Sequence, residues 1–588
     1  MAKSRAAGAR RTYAGEVNSS QPLQETADDG ATSPGRSGTD GAARGSRRWA
    51  AASGAVAAGA AVVIGELLAG LFSPSLSPLT AVGGAVIDAV PPGVKDWAIS
   101  LFGTADKAVF VGGMLLVIAA VGALAGILEQ RRRFAGGAVI AVFGLVGLSA
   151  VLTRAQMTPA AAVVALAAAL SGALQLGWLI RRLHEGHPAG AAGTGAAGTA
   201  AGTNAATAQV PAGTAAGTNA ATAQVPAGTA ATAGRRTFLQ VLAASAGATA
   251  VGGVVAAVWR GAASGISTAR EMLQLPAAVS GAPAIPAGAE VGLDGMQPLV
   301  TPNRDFYRID TALIVPSLDP ESWVLRVTGM VEQEIELNLA DLLAKPLIER
   351  HVTIACVSNE VGGDLIGNAR WLGWPVRELL ALARPQSGAD MVLSRSSDGW
   401  TAGTPLEVLT DQRDALLAVG MNGEPLPLEH GFPVRLIVPG LYGYVSATKW
   451  LTELRLTRFA DDVGYWTPRG WSDRGPIKTS SRIDVPRTGR RVGAGTVMFG
   501  GVAWAQHTGV GKVELRVNRG PWQAARLAPG ISLDTWYQWQ LGIDLAPGQY
   551  EVQVRATDLN GEPQVEDRRP VAPDGATGFH TIRVDVNP

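Results

Sequence analysis

HVTIACVSNEVGGDLIGNARWLGWPV, residues 351 to 376, holds Cys356, the only cysteine in a chain of 588 residues. A single thiol cannot close a disulfide within its own chain, so the fold has to stand on packing alone. Three roles are open to this sulfur. It is a small buried hydrophobe, the commonest fate of a free cysteine, or a nucleophile, or a metal ligand. A nucleophile wants a base nearby; His351 lies five residues upstream, and on a strand an odd spacing sends two side chains to opposite faces. A metal ligand wants a soft thiolate with polar neighbours, and Asn359 with the Gly362-Gly363 pair offers a polar, closely approached loop.

Around this stretch the chain is unevenly built. The balance of 49 basic against 48 acidic residues gives no reason to expect a nucleic-acid partner. Hydrophobic residues make up 47% and charged ones only 16%, a membrane-protein skew that is confined to the first half. Residues 1–48 are polar and aperiodic, and read as a disordered cytoplasmic tail ending in Arg47-Arg48. The region 49–183 holds four runs long enough to cross a bilayer, starting near 50, 108, 134 and 159, where roughly 20 apolar residues suffice. The stretch 81–103 contains Pro91-Pro92, Lys95 and Asp96, and reads as an interfacial or re-entrant segment on the outer face. Glu66 sits in the middle of the first run, where a carboxylate is costly and faces protein or a cavity; helix packing is favoured over proton conduction, since no second acid accompanies it.

Residues 184–234 form an Ala/Gly/Thr-rich linker in which the 15 residues 198–212 recur unchanged at 213–227. The anchor at 235–260, RRTFLQVLAASAGATAVGGVVAAVW and its continuation, reads as a fifth span with a twin-arginine-like start at Arg235-Arg236; an ordinary positive-inside anchor is the plain alternative. With five crossings and the tail inside, the clusters at 47–48, 131–133, 181–182 and 235–236 all fall on the cytoplasmic side. Everything after a linker at 261–290 is then extracytoplasmic. The region 291–458 mixes strands with the helical stretch WPVRELLALA, and 459–588 carries short alternating runs such as KVELRVNRGPW and YEVQVRATD, which suggest an immunoglobulin-type β-sandwich.

TPNRDFY (301–307), CVSN (356–359), IGNARWLG (366–373), HGFPVRLIVPG (430–440) and Lys449-Trp450 together resemble the sulfite-oxidase family of molybdopterin-dependent oxidoreductases. The resemblance covers about 300 residues, and GWSDRGPIKTSSRID (470–484) looks like the start of that family's immunoglobulin-like dimerisation domain. It implies a multidomain fold: N-terminal transmembrane α-helices, a mixed α+β molybdopterin domain and a C-terminal β-sandwich. It also implies that Cys356 ligates molybdenum beside the dithiolene of molybdopterin. Asn303, Phe306, Tyr307, His430 and Arg435 would hold the pterin and its phosphate. Ser446, Ala447, Thr448 and Lys449 match the strand end that embraces it, and Ser396 and Asp398 match more loosely a contact in SRSSDGW. Nothing in the resemblance accounts for the four helices before the linker.

Two departures bear on substrate. Sulfite oxidisers place arginines shortly after the cysteine, whereas here Glu360 and Val361 follow Asn359; Val419 stands where they carry a tyrosine. With Asn359 and Glu360 beside Cys356 in the catalytic position, an anionic substrate is disfavoured unless Arg304, Arg308, Arg474 or Lys478 restores positive charge. The implied chemistry is oxygen-atom transfer to or from a small molecule other than sulfite, with sulfoxide reduction as one direction and an inactive binding or assembly module as the competing class. No span carries a histidine pair for haem and no second cysteine exists for an iron–sulfur cluster, so an external one-electron redox partner, a cytochrome or membrane subunit, is expected. The dimerisation-type tail leaves a homodimer open.

Overall fold

The structure, a computed structural model, describes residues 37–72, 77–90, 101–102, 106–152, 159–185, 227–262 and 265–588. The tail before residue 37 and most of the repeat linker lie outside the described residues. The helical region comprises α1 (Ser37–Phe72), the short α2 (Pro78–Ala89), α3 (Asp106–Arg131), α4 (Ala135–Leu152), α5 (Pro159–Glu185) and α6 (Ala227–Ala262). Five of these contain spans long and apolar enough to cross a membrane, at Ser46–Gly70, Lys107–Arg131, Ala135–Leu152, Pro159–Glu185 and Arg235–Ala257. They are the five runs expected from hydropathy. Helix α2, at 12 residues, is too short to cross, and residues 91–100 of the expected re-entrant segment are not described.

Two boundaries differ from the sequence reading. Helix α1 begins at Ser37, inside the stretch read as tail, and α6 begins at Ala227, inside the stretch read as linker. The second extension, AGTAATAG, is half alanine, the strongest helix former, and in both cases a helix already nucleated by its apolar span propagates outward without a new nucleation cost.

Small residues set how closely these helices approach. A Cβ on Gly54 of α1, or on Gly122 or Gly126 of α3, would overlap the facing backbone, so the four-residue glycine spacing on α3 is what lets the two backbones touch. Glu66 is buried and accepts a hydrogen bond from Ser77 Oγ, while Ser77 caps α2 by accepting from Thr80 N at 3.1 Å. The carboxylate thus ties the end of α1 to the cap of α2, which is the packing role expected for it. Glu129 caps α4 in the same manner, accepting from Gly136 N at 2.9 Å and Gly137 N at 3.1 Å.

The segment after α7 (Gly265–Met272), read from sequence as linker up to 290, is packed against the next domain. Arg270 donates to Leu426 O and Pro425 O at 2.8 and 2.7 Å, Val279 N donates to Leu347 O at 2.8 Å, and Ala289 is fully buried in the core. An Ala- and Pro-rich composition without periodicity concealed a backbone that finds its partners on a strand edge.

Ten strands then build the α+β region: β1 (Val324–Gly329), β2 (Ile335–Asn338), β3 (Ile348–Ala355), β4 (Ile366–Pro375), β5 (Met391–Ser396), β6 (Thr401–Pro405), β7 (Leu416–Met421), β8 (Glu424–Pro425), β9 (Arg435–Ile437) and β10 (Leu451–Thr457). One sheet runs β3-β4-β7-β8 with β9 on β7, and the other runs β2-β1-β10-β5-β6. In the second sheet β1 and β10 pair in parallel and the remaining pairs are antiparallel. A single core holds Val434 and Leu436 against Leu451 and Leu454, with Val376, Leu379, Leu380 and Ala383 supplied by the helix between β4 and β5. That helix, Val376–Ala383, is the one expected from WPVRELLALA; its apolar positions recur at helical spacing and it stops where Arg384 turns left-handed at φ 53° before Pro385.

The last nine strands are β11 (Ser480–Val485), β12 (Arg491–Gly493), β13 (Gly495–Trp504), β14 (Val510–Val517), β15 (Gln523–Ala524), β16 (Arg526–Leu527), β17 (Tyr537–Leu545), β18 (Gly548–Asp558) and β19 (His580–Asn587). They form sheets β11-β13-β17-β16 and β12-β19-β18-β14-β15 around one core, in which Phe499 and Trp539 of the first meet Leu515, Val554 and Val584 of the second. Trp536, just before β17, belongs instead to the core of the preceding domain. It is fully buried, its Nε1 donates to Leu299 O at 2.8 Å, and its backbone N donates to Thr353 Oγ1 at 2.8 Å on β3. The strand leading to Cys356 is thereby fixed against the sandwich. Trp536→Ala should cost about 3–5 kcal/mol through the cavity left in the core. Urea unfolding of the full chain followed by circular dichroism should show a lower midpoint; an unchanged midpoint would mean the indole is dispensable.

Candidate functional site

Strand β3 ends where its pairing ends. Ala355 opposes Ile366, and the next residue, Cys356, begins a ten-position loop closed by its own N–H donating to Leu365 O at 2.9 Å. Asn359 staples that loop: its N–H donates to Cys356 O at 3.1 Å and its Oδ1 accepts from Leu365 N at 2.9 Å. Gly362 has φ +83°, and a Cβ there would overlap the imidazole of His580; Gly363 O accepts from Arg482 at 2.7 Å. The sandwich therefore grips the far side of the cysteine loop. Cys356 is buried and its thiol is pushed up by burial, partly offset by hydrogen bonds from Ser358. A buried thiol that needs a cation to ionise is suited to a metal ion and poorly suited to unaided nucleophilic attack. Glu360 is exposed at the loop's outer turn, where its carbonyl accepts from Gly363 N at 2.8 Å.

The 301–307 segment lies across this loop. Phe306 is buried, stacked on Tyr307 with centroids 5.3 Å apart and edge-on to Trp371 and His430 at 5.9 and 5.6 Å. The Tyr307 phenol is pushed far up by burial, and Cys356 is near enough for a thiolate there to push it further while Arg435 opposes. Asn303 Nδ2 donates to Met421 O at 3.2 Å and its Oδ1 accepts from Asn422 at 2.8 Å.

Arg435, at the start of β9, donates to His430 O at 3.1 Å and to Ala447 O at 3.3 Å and lies over the Trp371 ring at 5.1 Å. Its Nε is buried without a partner, and among the described residues no carboxylate pairs with it. Burial lowers it to about 10. His430 Nε2 donates to Asn303 O at 3.1 Å, and burial, then Arg435 and Lys449, lower its ring to about 3, so it is a neutral donor. Lys449 pairs with Asp310 at 2.8 Å and donates to Glu429 O at 3.0 Å; burial lowers it to about 8 against the opposing pull of Asp310. A cavity of about 370 Å³ opens beside these groups, lined by Asn303, Phe306, Arg308, Leu428, Glu429 and His430.

The remaining sequence candidates are occupied by the fold. Ser446 Oγ donates to Leu441 O and Tyr442 O at 3.1 and 2.9 Å, and Thr448 Oγ1 meets Ser394 Oγ at 2.7 Å, so these two offer a ligand only their backbone. Ala447 gives its carbonyl to Arg435. Ser396 is buried at the end of β5, and Asp398 closes the adjoining turn by accepting from Trp400 N at 3.1 Å; burial raises its carboxyl, with Asp310 adding and Lys449 opposing. Asp398 is thus close to the lysine cluster. Sequence reasoning missed Trp371, though it stands inside IGNARWLG, because a buried aromatic on a strand looks like ordinary core. It also missed Asp310 and Lys107, which carry no motif.

The chain is similar to several known proteins. A family model described as an oxidoreductase molybdopterin binding domain matches residues 312–466. Human mitochondrial sulfite oxidase is 31% identical over 307 residues, covering 43% of this chain and 55% of that protein. An uncharacterized oxidoreductase of Bacillus subtilis (strain 168), YuiH, is 34% identical over 157 residues, covering 27% of this chain and 76% of that protein. Among solved structures, the sulfane dehydrogenase SoxCD from Paracoccus pantotrophus superposes with a TM-score of 0.43 at 23% identity, covering 49% of this chain and 81% of that one. The chain belongs to the sulfite-oxidase family of molybdopterin-dependent oxidoreductases. It spans about half the length of the sulfite oxidases it matches.

The residues present fit the family's cofactor. A buried guanidinium with an unpartnered donor calls for an anion, and guanidinium pairs well with phosphate. Gly431, at φ +110°, is close against the Lys449 and Arg435 stems, with a Cβ there only 3.0–3.1 Å from both, so the cradle has no room for a side chain.

Buried and half-buried neutral histidines set the pH response; burial and then Arg370 lower His351, and the larger shifts belong to His430 and His580. His430 lies at about 3, and His580 at about 4 through burial and Arg482. In the unfolded chain both take a proton near pH 6.5, so between about 6.5 and 4 the unfolded state binds more protons. Stability is therefore full above pH 6.5 and falls as the pH drops toward 4. His580→Gln should flatten this loss by about 1–2 kcal/mol between pH 6.5 and 5, read from urea midpoints. Identical slopes in wild type and variant would rule out His580 as a contributor.

Proposed function

We propose that this protein is a membrane-anchored, extracytoplasmic molybdenum–molybdopterin enzyme that transfers an oxygen atom to or from a small neutral or cationic substrate, with Cys356 as the protein's metal ligand. The observation that carries it is the meeting of the buried Cys356 thiol, the Tyr307 phenol and Arg435, whose buried Nε has no partner, in one recess. When bound, molybdenum–molybdopterin supplies oxygen-atom transfer coupled to a two-electron change.

The chain's own residues bind, orient and exclude water. Asn359 holds the cysteine loop in shape, Arg435 and Lys449 present donors to the pterin and its phosphate, and His430, whose Nε2–H is given to Asn303 O, keeps Nδ1 as an acceptor beside them. Phe306 and Trp371 wall the recess, and the backbone at 446–448 lies along it, with Ser396, Asp398 and Asn303 at its margin. Glu360 faces the approach. Of the cations that stood as candidates to restore positive charge, Arg304, Arg474 and Lys478 each have a carboxylate partner, in Asp305, Glu407 and Asp574, while Arg308 shares Asp310 with Lys449 and Lys107, and Glu360 follows Asn359 in the cysteine loop. That balance speaks against a dianion such as sulfite and for a sulfoxide or N-oxide, which makes reduction the favoured direction.

In the same reading, 459–588 is an immunoglobulin-like dimerisation-type domain and 291–458 the cofactor domain, anchored by 235–260. Arg235-Arg236 is a twin-arginine export signal, and a one-electron carrier outside this chain completes turnover. Sidedness is supported by a contact: Lys107, at the end of α3 remote from Arg131–Arg133, pairs with Asp310 of the cofactor domain. The domain thus lies away from the arginine-rich ends, as positive-inside insertion requires.

Two outcomes are expected. Purified full-length protein should hold molybdenum and pterin in equal amounts and turn over neutral sulfoxides or N-oxides more efficiently than sulfite at several salt concentrations; sulfite turnover that weakens with rising salt would sink the substrate assignment. A reporter fused after Pro588 should be active outside the membrane and one fused in the 188–226 segment inside, and the reverse pattern would overturn the sidedness.

A further inference from the structure

The four helices before the linker have no role in the family resemblance, yet they meet the cofactor region at one point. Asp310 is 4% exposed, and its two oxygens are divided between two parts of the molecule. Oδ1 takes the ammonium of Lys107, the second residue of α3, while Oδ2 takes Lys449 at 2.8 Å and Arg308 at 3.0 Å. Lys107 also donates to Ala312 O at 2.6 Å. A second contact lies beside the first. Leu313 packs on α2 at Gly83, where a Cβ would overlap the leucine methyl and come within 3.3 Å of Met114 Sδ and 3.5 Å of Phe110, both on α3. Glycine at 83 makes the seat for that leucine.

We propose that Lys107 is a positioning residue for Lys449, acting through Asp310, and that the 310–313 segment seats the cofactor region on the membrane helices. This rests on the reading of Lys449 as a cofactor-binding lysine. The electrostatics follow from the division of the carboxylate. Lys107, Lys449 and Arg308 face one Asp310, three cations against one anion, so the cluster keeps net positive charge toward the cavity that Arg308 and Glu429 line. Remove Lys107 and both oxygens turn to Lys449 and Arg308. The lysine is then held as one half of a buried ion pair and is a weaker receptor for an anion. The segment also loses the donor to Ala312 O that fixes where Asp310 stands. Retention of an anionic cofactor outside the membrane thereby depends on a side chain of a membrane helix.

The test uses full-length protein in nanodiscs, loaded with its cofactor, with molybdenum and pterin measured after prolonged gel filtration. Lys107→Met should release the cofactor about tenfold faster or more, Lys107→Arg should behave close to wild type, and Lys449→Met should release it as well. In a Gly83→Cys, Leu313→Cys double variant a short bismaleimide should join the two positions, with the buried Cys356 unmodified. Rescue by arginine separates loss of positioning from loss of fold. Retention in Lys107→Met equal to wild type, with Lys449→Met defective, would overturn the proposal and leave the reading of Lys449 intact. Retention in Lys449→Met would sink that reading and the proposal with it. Absence of the cross-link in loaded protein would remove the seat.

Discussion

Arg435 carries a full charge into a place where water cannot reach its Nε, and no carboxylate among the described residues answers it. A buried cation without its anion costs several kcal/mol, and the fold sustains that only because two carbonyls and the Trp371 face take part of the charge. The cost explains the surroundings. Burial lowers the proton affinity of His430 and Lys449, with Arg435 adding to it, and burial holds the Tyr307 phenol and the Cys356 thiol protonated, with Arg435 opposing at Tyr307. The site is a receptor with its electrostatics set before any ligand arrives, which is how binding avoids reorganisation cost.

Precision at Cys356 comes from both domains. The β3–β4 pairing delivers the residue, Asn359 closes the loop from within, and the sandwich holds it from outside through Arg482 and His580. Arg482 is itself neutralised by Asp484 at 2.6 Å, both nearly buried, so its grip on Gly363 brings no net charge to the Cys356 loop. The sandwich is therefore part of the scaffold that shapes this loop.

Much of this was legible in the chain. Five apolar runs and their arginine clusters gave the helices, WPVRELLALA gave its helix, and alternating runs gave the sandwich strands. Cys356, Arg435 and His430 were singled out only by the resemblance carried by CVSN and HGFPVR, since each taken alone reads as ordinary core or surface. What escaped was of another kind. Asp310 and Lys107 stand 203 positions apart and carry no motif, so their pairing exists only after folding. The helical extensions at Ser37 and Ala227 were masked by polar and repetitive composition, and the 279–289 segment looked like linker because its backbone partners lie on a distant strand edge.

Cys356 is proposed as the protein's own sulfur ligand to molybdenum. X-ray absorption at the molybdenum edge of full-length protein should show that Cys356→Ser loses one sulfur neighbour and gains an oxygen, with pterin content and circular dichroism unchanged. A sulfur count identical in wild type and variant would contradict it.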